Sequence, residues 1–116
     1  MTALNANSGA RAADLELTCE RVPDHQHVEG SPGTGSVVLS RFHGVEVGVW
    51  EMTPGAATDV EVDEIFIVLS GAATIEFGDS SPTICVGAGD VVRLAAGAET
   101  VWVVTETLRK VYLTHD

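Results

Sequence analysis

The sequence predicts an all-β domain, a sandwich or barrel of short strands. Three observations carry that expectation. Apolar residues come in short β-branched and aromatic runs, many alternating with polar ones. Glycine-rich turns separate the runs, and no stretch of ten or more residues holds a helical 3.6 period. At 116 residues the chain fits one domain with one core. No apolar run approaches the length that spans a bilayer.

Residues 1–13 are mostly small and polar and predict a flexible N-terminal arm, leaving 14–116 as the folded domain. Leu15, Leu17 and Cys19 alternate with Glu16 and Thr18, which predicts a short strand. His25 and His27 would share one face of an extended segment, as a metal-ligand pair would. Pro23 and the turn-rich 30–35 flank them, which predicts a solvated loop instead. Ser36 to Phe42 reads as a strand turned by His43-Gly44. Val45 to Met52 follows, with Val45, Val47 and Val49 on one face and Trp50 on the other.

Pro54-Gly55 opens a turn that leads through an acidic loop to Glu64. Ile65 to Leu69 predicts a strand, closed by Gly71 and apolar on both faces, so both faces should be covered. Ala72 to Phe77 and Thr83 to Val86 predict two more strands around the 78–82 turn. Val91 to Leu94 is another, with Arg93 toward solvent or a subunit contact. Glu99 to Thr105 places Thr100, Trp102 and Val104 on one face. Leu108 to Thr114 closes the set, with Lys110 and Tyr112 on one face.

The formal net charge of -11 disfavours nucleic acid and anionic membranes as partners. Cys19 and Cys85 belong to no CxxC or Cys/His cluster and read as reduced, packed thiols. Residues 1–15 hold no apolar signal-peptide core, so a cytoplasmic location is expected.

The pattern from Pro54 to Gly71, and the pattern from Gly89-Asp90 to Gly97, resemble the two motifs of the cupin superfamily. That resemblance implies a single-domain jelly-roll β-barrel. Trp50-Glu51, Trp102 and 108–112 are similar to the single-domain cupin group related to ureidoglycine aminohydrolase. The resemblance spans roughly residues 29–115. It implies a metal site of His-x-His, Glu and a further His. Glu64 matches the Glu. Ala57, Thr58, Asp59 and Val60 stand where His-x-His belongs, and Thr100 stands at the last His. One carboxylate does not hold a transition metal, so no metal and no cofactor is expected.

Asp59, Glu61 and Asp63 alternate on one side of the acidic loop, with Glu64 on the other. They suit either a hard-cation site or a solvated loop. Glu64 is either a strand-edge carboxylate in water or, as the resemblance implies, a lumen residue beside Phe66 and Val68, fit for acid–base work. The candidate ligand-binding set is Glu64, Phe66, Thr100, Trp102, Lys110 and Tyr112. Trp102 should be buried, and Trp102→Ala should destabilise the fold more than Glu64→Gln.

Three functions follow. The first is a protein that binds a small molecule in its barrel without a transition metal. The second is an enzyme resembling ureidoglycine aminohydrolase, or a metal-free isomerase using Glu64. The third is a structural or interaction protein with a filled barrel. A homodimer is expected, since an unpaired sheet edge is a liability, with the arm or the Leu15–Cys19 strand crossing to the partner.

Overall fold

In a computed structural model that describes residues 4–115, nine strands form one curled, jelly-roll-type barrel sheet. They are β1 (Glu20–Arg21), β2 (His27–Gly30), β3 (Gly33–Phe42), β4 (Val45–Met52), β5 (Gly55–Val60), β6 (Glu64–Phe77), β7 (Ile84–Gly87), β8 (Val91–Leu94) and β9 (Glu99–His115). All pairings are antiparallel. The sheet is organised around β9. Its N-terminal half lies between β5 and β6, and its C-terminal half between β4 and β6. The far edge of β6 carries β8 beside its first half and β7 beside its second. Beyond β4 come β3 and β1, and beyond β5 comes β2.

Period-two alternation sets the inward face. On β9 it reads Thr100, Trp102, Val104, Leu108, Lys110 and Tyr112, all buried. On β6 it reads Glu64, Phe66 and Val68, then changes phase to Ala73 and Ile75. The phase changes across a bulge between Val68 and Ala73. Gly71 lies in that bulge at φ +95°, and a Cβ there would overlap the Thr107 carbonyl. Glycine is therefore required where β6 crosses β9.

The segment before β1 is tied to the barrel's outer side. Leu4 N–H donates to the Leu39 carbonyl at 2.7 Å. A single 3-10 turn spans Ala12–Asp14. Arg109 Nη1 donates to the carbonyls of Ala12, Ala13 and Leu15 at 3.0, 3.2 and 2.6 Å. Its Nη2 pairs with Glu51 Oε1 at 2.9 Å, and the Cys19 thiol donates to Glu51 Oε2 at 3.5 Å. The first three residues of the expected arm lie outside the described residues. No helix among the described residues is long and apolar enough to cross a membrane.

Several element expectations are corrected. Leu15, Leu17 and Cys19 are half-buried in alternation, but they join no ladder, and the strand begins at Glu20. The expected loop around His27 and the expected turn after Pro54 are strands β2 and β5, paired with each other. Strands 65–69 and 72–77 are one strand, as are 99–105 and 108–114. The outward face of β6 is not covered: Ile65 is 43% exposed.

Candidate functional site

Strand register assembles the site. Trp50 on β4 and Lys110 on β9 are direct cross-strand partners, and so are Val68 and Lys110. Trp102 opposes Ala57 on one side and Ile75 on the other. These pairs aim Trp50, Trp102, Phe66 and Lys110 at one point inside the barrel. The Lys110 ammonium lies 4.6 Å from the Trp50 ring centre, 4.2 Å from Phe66 and 4.8 Å from Trp102. It pairs with Glu64 Oε2 at 2.5 Å. Lys110 is 4% exposed and Glu64 8%. An ammonium so deprived of water is held by ring quadrupoles and by one counter-charge.

A cavity of about 330 Å³ adjoins this cluster. Its walls include Trp50, Met52, Trp102, Lys110 and Tyr112, together with Glu46, Asp59, Glu61 and Glu64. Four carboxylates therefore line it against one ammonium. Glu61 is the residue that sequence reasoning placed wrongly. It is 7% exposed and faces the cavity with Glu64. Its Oε2 accepts from Thr100 Oγ1 at 2.6 Å and from the Trp102 indole N–H at 2.9 Å. Asp63, expected on the same side, turns outward. It accepts from Ala96 N–H at 3.0 Å and lies 3.6 Å from Arg93. The acidic loop is thus divided between lumen and surface. Period two alone could not show this: Asp59 lies opposite Thr100 yet stays exposed at the mouth, Glu61 is buried, and Asp63 in the same phase turns outward.

Asp59 stays exposed at the cavity mouth, where partial desolvation, and then the neighbouring Glu61 charge, push its carboxyl up from the ordinary range. Tyr112 fits because its strand partner is Gly48; a Cβ there would overlap the phenol ring. Its hydroxyl donates to Glu46 Oε2 at 2.9 Å. Burial, followed by that bond and the Glu46 charge, pushes the phenol up to about 12.

The structure brings together Glu64, Phe66, Trp102, Lys110 and Tyr112 of the expected set. Phe66 lies beneath the ammonium and does not line the cavity. Thr100 supports Glu61 and borders a neighbouring hollow of about 530 Å³ with His25 and Phe77. His27 Nε2 donates to the Gly30 carbonyl at 2.6 Å. Trp50, Glu46, Asp59 and Glu61 complete the site.

The residues present do not fit a transition metal. Glu64 is engaged by Lys110, and Thr100 donates to Glu61. Among the described residues, no group of three or more His, Cys, Asp or Glu is arranged to hold a metal ion.

Solved structures share this architecture. A Pseudomonas syringae protein of unknown function from the DUF861 family superposes with a TM-score of 0.67 at 25% identity. That match covers 86% of this chain and 44% of the other. The EutQ protein of Clostridium difficile gives 0.65 at 17% identity, over 82% and 75%. A cupin superfamily protein of Desulfitobacterium hafniense gives 0.62 at 14%, over 99% and 95%. The likeness to these structures concerns the fold. No curated protein matches the sequence at a significant level. The model of the EutQ-like cupin domain matches residues 39–112, more than half of the chain, and the chain belongs to that family.

Proposed function

We propose that this protein binds a small, donor-rich molecule in its barrel without a transition metal. An amine, amidine, guanidine or ureido compound suits the site, and an anion does not. The carrying observation is Glu61. Thr100 and Trp102 fix one of its oxygens, which orients the carboxylate toward a cavity also lined by Asp59 and Glu46. A buried carboxylate prepared in this way is stabilised by a ligand N–H group. Trp50, Trp102 and Met52 supply the apolar wall that such pockets need. The cavity itself counts against a barrel filled by side chains. Of the two thiols expected to be packed, Cys19 is half-buried and Cys85 is exposed.

The test is a titration with methylguanidine, N-methylurea and, as the anionic control, acetate, followed by calorimetry. We expect saturable binding of methylguanidine or N-methylurea, and about tenfold weaker binding in Glu61→Gln. Binding of acetate alone, or of none of the three, would overturn the ligand class. Elemental analysis near one zinc, manganese, nickel or iron per chain would overturn the metal-free reading.

A second reading, an enzyme doing acid–base chemistry, is favoured by Asp59. Its raised carboxyl beside Glu61 holds a proton more readily than an ordinary aspartate. Glu64, the acid–base candidate from sequence, is tied to Lys110 in this arrangement. The resemblance to ureidoglycine aminohydrolase makes ureido compounds the first substrates to assay.

A further inference from the structure

We propose that the pocket formed by Trp50, Phe66, Trp102 and Glu64 is a binding site for organic ammonium ions that the chain fills with its own Lys110. This inference goes beyond the ligand cavity beside it and stands whether or not a molecule binds at Glu61.

Three ring centres lie within 4.8 Å of one nitrogen, and the Glu64 carboxylate pairs with it beside the cavity that Lys110 also borders. Both tryptophans of the chain and one of its three phenylalanines are used for this. A core that needed only volume would take leucine or methionine at 110, at no cost in charge desolvation. Aromatic faces around a cation, with one carboxylate, are how proteins recognise alkylammonium groups. Here the recognised group arrives on a tether, from the strand position directly opposite Trp50. Tethering removes the entropy cost of capturing a free cation, so the cage is filled at all times. It also engages Glu64, which the ion pair leaves without need of any other counter-charge. On this account the barrel's central cation is organic and covalently supplied.

The inference is tested by emptying the cage. Lys110→Ala removes a propylammonium fragment, so n-propylammonium is the probe. Both tryptophans of the chain lie against the ammonium, which makes intrinsic fluorescence a direct reading of occupancy. We expect n-propylammonium to shift the emission of Lys110→Ala saturably and to raise its melting temperature. The wild type should do neither. n-Propanol should bind about tenfold more weakly or worse, because it lacks the charge. Sodium chloride at matched ionic strength should have no effect. Equal responses to the amine and the alcohol would overturn the proposal, as would equal responses of variant and wild type. If Lys110→Ala does not fold in buffer, it is refolded from urea with n-propylammonium and, in parallel, with sodium chloride. Refolding in the amine alone supports the cage, and refolding in neither overturns it.

Discussion

Tyr112 is the single tyrosine of the chain, so its titration is read without ambiguity. The folded chain holds the phenol proton more tightly than the unfolded chain, whose tyrosine titrates near 10.0. The stability this contributes is complete below pH 10 and is lost as pH rises toward about 12. Tyrosinate absorbance should therefore rise with a midpoint well above 10, and Glu46→Gln should bring that midpoint down; a wild-type midpoint at 10 would contradict the burial described. Asp59 is the acidic counterpart. Its raised carboxyl binds a proton more tightly in the folded state, so its contribution is present at acid pH and is lost as pH rises through its folded value. Asp59→Asn should accordingly raise the melting temperature at neutral pH, and the gain should vanish in acid. Trp102→Ala should cost roughly 3–5 kcal/mol, the range for a buried aromatic. From sequence alone Glu64→Gln ranks well below it. The buried pair with Lys110 changes that ranking, since removing one partner of such a pair costs about 3–5 kcal/mol as well. Urea unfolding of both variants checks this. Strand alternation puts Thr100 with Trp102, and Lys110 with Tyr112, on shared faces. The lumen side of Phe66 and Trp102 comes from the resemblance, and for Lys110 the choice between lumen and surface stays open until the structure buries it. A Glu64 in the lumen needs a donor, and Lys110, Tyr112, a water or a ligand N–H are the alternatives; only the register between β6 and β9 decides for Lys110.

β6 and β9 are each longer than their sequence suggests, and Gly71 explains the first. A glycine between apolar runs usually ends a strand. Here it carries the backbone through a bulge against Thr107 and lets β6 continue on a shifted phase. Gly71→Ala should destabilise by roughly 3 kcal/mol or more, since it adds both a left-handed strain and an overlap. Thermal melts check it, and an unchanged melting temperature would mean that the crossing relaxes freely. β5 escaped sequence reading for a different reason. Its inward positions are Ala57 and Asp59, small or charged, because the space opposite Ala57 is taken by Trp102. A strand whose partner supplies the bulk shows no apolar alternation of its own. β8 was legible because its alternation is self-contained, with Val92 and Leu94 buried between exposed neighbours.

On the scale of the molecule, the outward side of β6 and β8 leaves Ile65 and Val91 exposed at 43% and 66%. β8 is an edge strand with one neighbour. The expected homodimer is best placed there, because the segment before β1 is bonded to its own Leu39 and Arg109. Light scattering should give a dimer mass that falls to a monomer in Val91→Lys, and added salt should favour the dimer by screening a charge of -11 per chain. A wild-type monomer would remove the proposal. The strand that joins most of the barrel, β9, is also the last, and this imposes an order in time. Until residues 99–115 leave the ribosome, β4, β5 and β6 have no central neighbour, and Phe66, Ile75 and Met52 have no floor to pack on. The nascent chain therefore stays open, with half-sheets exposed, until those residues emerge. Closure then happens in one late event, when a single strand zips three others together.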